Sequence, residues 1–195
     1  MRAFERAIRR AGLLVAHTQG FNPRPRLVFA SPLGVGATGD AERLCIALQC
    51  RPRAEEVLAS LRAALPPGLS AVEAHALVGA RCPRYHLIAW AEWEVTLPPP
   101  GPSRDELDGL SADLLARHEV FVPRRRKAAA REVDIRPGIL ALSGAGDARL
   151  RMTLSLIEGR GAKPLEVTEA LGLPPGDERT PHPLVHRLRL APTPG

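Results

Sequence analysis

The chain has 195 residues, 45% of them apolar and 25% charged, which suffices for one large domain or two small ones with a buried core. This composition excludes wholesale disorder and a collagen-like fold, and no apolar run approaches the roughly 18–20 residues of a membrane span. The formal net charge of +6 is carried mainly by arginine, since Lys127 and Lys163 are the only lysines, and it fits a polyanionic partner such as nucleic acid. Because the first twenty residues mix arginines with apolar positions and hold no secretory segment, we expect a cytoplasmic protein.

The first half of the chain predicts the order α-β-β-α-β. Met1–Ala11 carries apolar residues at helical spacing, and Gly12 is placed to end this helix. Two short apolar segments then flank a hairpin-like connection rich in Pro and Gly, and a second amphipathic helix and a further strand follow. These predicted elements are Leu27–Ala30, Leu44–Leu48, Glu55–Leu65 and Leu69–Val78.

The second half predicts the order β-α-β-β-α-β. Between Leu87 and Leu97 apolar and polar residues alternate, as in a half-buried strand. Trp90 and Trp93 then point to opposite faces, one into the core and the other towards a domain or partner interface. Ser103 and Glu106 have the spacing of a capping box at the start of a helix that reaches Arg117. The remaining predicted elements are the extended segments Val133–Leu142 and Leu150–Leu156, a helix over Pro164–Leu171 and a strand over Leu184–Leu190.

The order in the second half is the split βαβ pattern of a ferredoxin-like fold, and the first half repeats it without its first strand. We therefore predict an α+β protein of two tandem ferredoxin-like halves, residues 1–82 and 83–195, the first lacking its N-terminal strand. The first half carries the Gly-Phe-Asn-Pro-x-Pro loop, and the second carries the basic segment Arg124–Lys127.

The Gly-Phe-Asn-Pro-x-Pro loop predicts a rigid segment that presents arginines to phosphate groups. Its two prolines lower the cost of ordering the loop, and its glycine and asparagine tolerate turn geometry. The predicted roles are phosphate contact by Arg24 and Arg26, RNA base contact by Gln19 and Asn22, and loop structure by Gly20, Phe21, Pro23 and Pro25. The alternative is a structural turn with solvated arginines.

The densest basic stretch is Arg124-Arg125-Arg126-Lys127, and Arg131 and Arg136 follow it. Adjacent positive charges repel one another, so a bound polyanion would stabilise this segment. We predict that its side chains contact RNA phosphates, and a solvated hairpin loop is the alternative. Because Phe121 is the only aromatic residue nearby, a base-stacking surface on the sheet is disfavoured.

The sequence predicts neither a cofactor site nor a metal site. Gly34–Gly39 matches the string GxGxxG, but the helix that a dinucleotide site requires does not follow it. His182 and His186 have the i, i+4 spacing of helical metal ligands, but the prolines beside His182 argue against a helix.

Several specific motifs occur together over most of the chain. They are Arg6-Ala7-Ile8-Arg9-Arg10-Ala11-Gly12-Leu13, Gln19-Gly20-Phe21-Asn22-Pro23 with Pro25, Leu27 and Phe29, Pro32-Leu33, Val35-Gly36, Ala41-Glu42, Arg124-Arg125-Arg126-Lys127 before Glu132-Val133-Asp134-Ile135-Arg136-Pro137, and Pro164-Leu165-Glu166-Val167. This set resembles the radical-SAM-linked (radical-SAM-associated) proteins, a family of unknown function.

Members of that family occur alone or fused after a radical-SAM enzyme with a cobalamin-binding region, often encoded beside RNA-processing genes. The resemblance therefore implies an accessory role in RNA modification or metabolism, with a radical-SAM enzyme as partner. Family members usually carry an N-terminal strand and a Ser-His-Leu-Asp stretch before the residue that matches Met1, and this chain carries neither.

This chain is not itself expected to be the radical-SAM catalyst, because its three cysteines form no cluster-binding motif. Cys45, Cys50 and Cys82 include no CxxC pair, and we expect reduced, buried thiols.

The leading prediction is a non-catalytic accessory protein that binds RNA, either tRNA or rRNA. One competing hypothesis is a metal-independent RNA-processing enzyme with His17 as its acid–base group, because histidine commonly performs such catalysis near neutral pH. Another is a pure protein–protein adaptor that uses Trp90 or Trp93 and whose basic surface keeps it soluble.

Overall fold

A computed structural model describes residues 2–77, 88–126, 129–157, 161–173 and 181–192. Within these ranges the chain forms four α-helices and nine β-strands, which confirms the mixed α+β class. It divides into two compact units, the first made of Met1–Ala30 and Arg43–Arg84, the second of Ser31–Glu42 and Tyr85–Gly195. The predicted boundary between residues 82 and 83 lies outside the described residues.

The helices and strands follow one another in this order along the described chain. They are α1 (Arg2–Arg10), β1 (Leu27–Phe29), β2 (Ala37–Gly39), β3 (Leu44–Ile46), α2 (Ala54–Ala64), β4 (Ile88–Thr96), α3 (Arg104–Ala116), β5 (Phe121–Arg126), β6 (Ala129–Asp134), a 3₁₀ turn (Arg136–Gly138), β7 (Ile139–Gly146), β8 (Arg149–Ser155), α4 (Pro164–Ala170) and β9 (Leu184–Pro192).

Gly12 follows the end of helix α1 at Arg10 and terminates the helix, as the sequence predicts. Gly12 has a φ of 67°, a left-handed conformation that favours glycine. Its N–H donates to the carbonyl of Arg9 and the Leu13 N–H donates to the carbonyl of Ile8, both at 3.2 Å. These two bonds form a Schellman motif, which satisfies the last carbonyls of the helix and turns the chain.

The first unit packs around Ile8, Val15 and Leu61, with β1 and β3 paired antiparallel beside them. The predicted strand over Leu69–Val78 is wrong for residues 69–77, which form no strand, and Val78 lies outside the described residues. The Arg62 guanidinium instead donates 2.7 Å hydrogen bonds to two successive carbonyls of this segment. A side chain thus satisfies backbone groups that a strand would pair in a ladder.

The second unit is built on a five-stranded sheet with the order β2-β9-β4-β8-β7. The β9–β4, β4–β8 and β8–β7 pairs are antiparallel, and β2 runs parallel to β9. Along β4 the buried residues Ala91, Trp93 and Val95 alternate with the half-buried Trp90 and with glutamates. The two tryptophans therefore lie on opposite faces, as predicted.

Helices α3 and α4 contribute buried side chains to this unit, Leu107 and Leu114 from α3 and Val167 from α4. The predicted capping box at the start of α3 is confirmed, since the Glu106 carboxylate accepts from the Ser103 N–H at 2.8 Å. This backbone N–H, with the Ser103 hydroxyl, lowers the pKa of the Glu106 carboxyl.

Residues 31–42 connect β1 to β3 and also contain a strand of the second unit. Strand β2 within this segment extends the sheet of the second unit, and buried Arg187 of β9 fixes both ends of the segment. Its guanidinium donates to both carboxylate oxygens of Glu42, to the Ser31 hydroxyl at 3.0 Å and to the Ser31 carbonyl. It also lies 5.0 Å from the centre of the Trp93 ring. The sequence prediction of a simple hairpin connection missed this long-range pairing.

Arg124, Arg125 and Arg126 of the basic stretch lie in β5, which pairs antiparallel with β6. The single extended segment predicted for Val133–Leu142 is also wrong, because a 3₁₀ turn separates β6 from β7. The Asp134 carboxylate stabilises this break by accepting from the N–H groups of Val120 at 2.8 Å and Arg136 at 3.0 Å.

The cysteines differ from the expectation of reduced, buried thiols. Cys45 is disulfide-bonded, Cys50 is a free thiol on the surface, and Cys82 lies outside the described residues. In the part of the chain that the structure describes, no helix has the length and apolar character needed to cross a membrane. The tandem ferredoxin-like arrangement stays a prediction.

Candidate nucleic-acid interface

The loop with the Gly-Phe-Asn-Pro-x-Pro motif, residues 17–26, belongs to the first unit and is called here the Phe21 loop. Its two ends are held together by the bridge between His17 and Pro25. On either side of this bridge, the Thr18 N–H donates to the Arg24 carbonyl at 2.9 Å and the Arg26 N–H donates to a carbonyl at 2.8 Å. The loop therefore has a fixed, strand-like base.

The packed part of the first unit anchors this base. Val15, just before the loop, is buried and bridges to Leu48. The Ala47 N–H donates to the Arg26 carbonyl at 3.1 Å, and the Ala47 carbonyl accepts from Ala16 at 2.8 Å. Backbone hydrogen bonds on both sides thus join the loop base to the segment around β3.

Every residue that the sequence predicted to contact RNA in this loop has an exposed side chain, as has the candidate acid–base group. They are His17, Gln19, Asn22, Arg24 and Arg26. Phe21 is also fully exposed, at 106% of its reference area, so its ring does not pack within the loop. Sequence reasoning treated Phe21 as a structural residue of the loop and missed its exposure. The available signal was one aromatic residue among polar, Gly and Pro positions, without apolar neighbours at regular spacing.

Strand geometry predicts that the side chains of Arg24 and Arg26 share one face of the loop base. In extended backbone alternate side chains share a face, so we expect Arg24 and Arg26 on one face and Pro25 with its bridge partner His17 on the other. The Arg24 N–H is bonded to the Thr18 hydroxyl at 3.0 Å, which helps to fix this arrangement. Within the described residues, neither Arg24 nor Arg26 has a side-chain hydrogen bond or an ion pair.

Arg124 in β5, by contrast, is engaged in a bidentate ion pair. Its Nε donates to one carboxylate oxygen of Glu166 at 2.8 Å and its Nη2 to the other at 2.5 Å. The same Nη2 donates to the Gly161 carbonyl at 2.7 Å. The hydrogen bonds to Glu166 raise the pKa of the Arg124 guanidinium, so this cation is held in a half-buried structural contact.

Two opposing effects set the pKa of the Glu166 carboxyl. Burial raises the pKa of its carboxyl, but the hydrogen bonds from the Arg124 guanidinium and the Lys163 N–H outweigh burial and hold that pKa below its usual range. The carboxylate therefore stays ionised near neutral pH and competes with any phosphate for Arg124.

The other basic residues of this region also differ in whether their side chains have partners. Arg136 has a structural role, because its guanidinium donates to the carbonyls of Leu115 at 2.7 Å and Ile139 at 3.1 Å. Arg131 is exposed and lies opposite Arg124 in the hairpin. The side chains of Arg125 and Arg126 and the whole of Lys127 lie outside the described residues, so their predicted RNA contacts stay predictions.

The structure also describes the two histidines that were weighed as metal ligands. His186 lies on β9, with its Nδ1 2.7 Å from the Thr38 hydroxyl and its Nε2 3.1 Å from an Asp40 carboxylate oxygen. His182 precedes this strand, so the two histidines do not share a helix face. No group of three or more potential ligands capable of holding a metal occurs among the residues that the structure describes.

Of the two tryptophans of the adaptor hypothesis, one is buried and the other is half-buried. Trp93 is buried beneath Arg187, and its Nε1 has no hydrogen-bond partner among the described residues. Trp90 is half-buried on the other face of β4, with the Arg189 guanidinium 5.0 Å from its ring centre. Neither indole has the full exposure of Phe21.

Comparison with known proteins identifies a family without an assigned activity. No curated protein matches the chain. Residues 1–164, which include the Phe21 loop, the β5–β6 hairpin and the start of α4, match the family described as an uncharacterized protein conserved in bacteria (DUF2344). Because this match covers most of the sequence, the chain belongs to that family of uncharacterized bacterial proteins.

Proposed function

We propose that this protein is an RNA-binding accessory protein for tRNA or rRNA, and that Arg24 and Arg26 of the Phe21 loop contact the RNA phosphates. The observation that carries this proposal is the exposure of both arginine side chains in a loop with an anchored base, where neither has an ion pair within the described residues. Arginine binds phosphate through two parallel N–H bonds, and an unpaired exposed arginine has its donors free for that contact.

Arg124 takes no part in the proposed RNA contact. A phosphate would have to replace the Glu166 carboxylate, which already accepts two hydrogen bonds from this guanidinium. Breaking such a pair leaves a poorly solvated carboxylate behind, which is unfavourable. Arg125, Arg126 and Lys127 remain proposed phosphate contacts in addition to those of the Phe21 loop.

We further propose a radical-SAM enzyme as the partner, with RNA modification or metabolism as the process. The support is the resemblance of the sequence motifs to radical-SAM-linked proteins. Co-expression with radical-SAM enzymes of the same genome, followed by purification through a tag on this chain, tests the partner. Failure of every enzyme to co-purify, with and without RNA, would contradict it.

The proposed architecture is that of tandem ferredoxin-like halves. Its support in the second half is the chain order β4, α3, β7, β8, α4, β9, in which the β5–β6 pair is inserted between α3 and β7, together with the antiparallel sheet order β9-β4-β8-β7. In the first half the support is limited to α1, the β1–β3 pair and α2.

The enzyme hypothesis with His17 receives less support from the geometry. Strand geometry predicts His17 on the opposite face of the loop base from Arg24 and Arg26. A phosphate held by both arginines would therefore lie away from the imidazole, whereas a general base needs hydrogen-bond reach of the proton it removes.

Binding of the purified chain to total cellular RNA tests the proposed function. At low salt we expect the wild type to bind, and the double variant Arg24→Gln/Arg26→Gln to bind several-fold more weakly. The matched control is Arg6→Gln/Arg9→Gln, which removes the same charge from exposed positions of α1. Absence of wild-type binding would contradict the proposal. Equal losses in both double variants would show that the loop has no particular role.

A further inference from the structure

We infer that the Phe21 loop recognises unpaired nucleotides, with the Phe21 ring stacking on a base. This inference rests on the proposed RNA binding and names the class of RNA: single strands, hairpin loops and bulges, not continuous duplex. Three features support this inference: the exposure of Phe21, the hydrogen-bonded base of the loop and the chemistry of the neighbouring side chains.

The exposure of Phe21 sets it apart from the phenylalanines that pack in the first unit. The rings of Phe4 and Phe29 meet edge to face, with 5.3 Å between their centres. Phe21 lies in the same unit but is fully exposed, although its side chain has the same tendency to leave water. An uncovered aromatic ring in an exposed loop offers a flat surface to a partner.

The loop is suited to hold that ring in place. Pro23 and Pro25 restrict the backbone on the C-terminal side of Phe21, and the hydrogen-bonded base restricts both ends. Less conformational freedom is then lost when the ring contacts a ligand, which favours binding.

The neighbours of Phe21 match the other parts of a nucleotide. Gln19 and Asn22 are exposed amides, each with a donor and an acceptor that fit the edge of a base. Arg24 and Arg26 supply cations for the phosphates. In a duplex the bases are stacked and their edges are paired, so a side chain reaches these groups only in unpaired nucleotides.

The same neighbours argue against a protein partner for Phe21. Binding hot spots in protein interfaces are surrounded by contacts that exclude water from a well-packed centre. The exposed residues around Phe21 are amides and arginines. They suit a charged, hydrated ligand better than a dry interface.

Fluorescence anisotropy with three RNA probes tests the inference. The probes are a 12-nucleotide oligouridine, an abasic ribose-phosphate strand of equal length and a 12-base-pair duplex. We expect the wild type to bind oligouridine more tightly than the other two probes. Phe21→Ala should weaken oligouridine binding roughly five- to 150-fold, the range of base–aromatic stacking, and leave abasic binding unchanged.

Two further variants separate stacking from other causes. Phe21→Trp should restore oligouridine binding and Phe21→Leu should not, because only an aromatic ring stacks on a base. Phe121→Ala is the matched control, since Phe121 is also more than half exposed but lies on β5. An unchanged thermal midpoint in Phe21→Ala confirms that the variant is folded.

The outcomes distinguish the two proposals. If no RNA probe binds the wild type, the proposed function fails and the inference fails with it. If RNA binds but Phe21→Ala has wild-type affinity, or if the duplex and abasic strand bind as tightly as oligouridine, the inference is overturned and RNA binding stands. Loss of a protein partner in Phe21→Ala without any change in RNA affinity would also overturn it.

Discussion

The arginines of two regions differ in whether they have partners. In the Phe21 loop, Arg24 and Arg26 are exposed and have no described ion pair. In the second unit, Arg124 is bound to Glu166, and Arg187 is buried against Glu42. The sequence gives all four the same formal charge, but only the first pair is available to a ligand. The net charge of a chain therefore does not locate its binding surface.

The largest expected effect comes from Glu42→Gln, which leaves the buried Arg187 guanidinium without its compensating charge. Removal of one member of a buried pair costs about 3–5 kcal/mol, so we expect a loss of about 3 kcal/mol in the free energy of unfolding. Urea denaturation measures it. Glu55→Gln, which removes an exposed carboxylate from α2, is the control and should change stability by less than about 0.5 kcal/mol. Equal effects in both variants would contradict a structural role for Arg187.

A smaller loss is expected when Arg124 loses its partner. Glu166→Gln removes the charged acceptor of two hydrogen bonds, which should lower the free energy of unfolding by about 2 kcal/mol. RNA affinity should not fall, because this pair lies outside the proposed contacts. A Glu166→Gln variant of wild-type stability would show that the ion pair contributes nothing.

The pH dependence of this pair gives a more selective test. The pKa of Glu166 is lower in the folded chain than its usual value, so the unfolded chain binds the proton first as the pH falls. The stabilisation is therefore complete above the ordinary carboxyl pKa of about 4.3 and is lost as the pH falls through the lower folded value. The stability difference between the wild type and Glu166→Gln should shrink from pH 6 to pH 3 in urea titrations. A difference that grows on acidification would contradict the depressed pKa.

Local features of the fold were predictable from the sequence, and long-range pairings were not. The glycine at the end of α1, the capping box of α3 and the alternation along β4 each depend on residues a few positions apart. The bond between Glu42 and Arg187 joins residues 145 positions apart, and no local pattern marks it. The segment 31–42 therefore looked like a hairpin connection, although its strand belongs to the sheet of the second unit.

The sequence predicted some features of the candidate site and missed others. The prolines and the glycine of the Phe21 loop indicated a rigid segment that presents arginines, and the structure shows that Arg24 and Arg26 are exposed. A run of four basic residues indicated a phosphate patch, but the sequence does not show that Glu166, 42 positions away, binds Arg124. Phe21 was assigned to loop structure because exposure of a single side chain depends on the tertiary fold.

The smallest expected effect on stability belongs to the loop arginines. Arg24→Gln/Arg26→Gln removes no described side-chain contact, so its free energy of unfolding should stay within about 0.5 kcal/mol of the wild type. Urea denaturation beside Arg124→Gln measures the contrast directly. A large loss in the loop variant would mean that these arginines have a structural role.

The salt dependence of RNA binding tests the contrast between the two regions most directly. For single strands, the slope of log affinity against log salt is about −0.7 per phosphate contacted. We expect Arg24→Gln/Arg26→Gln to make the slope shallower by about 1.4, the value for two lost contacts, and Arg124→Gln to leave it unchanged while the protein is folded. A shallower slope in Arg124→Gln, with a wild-type slope in the loop variant, would contradict the assignment of RNA contact to the Phe21 loop.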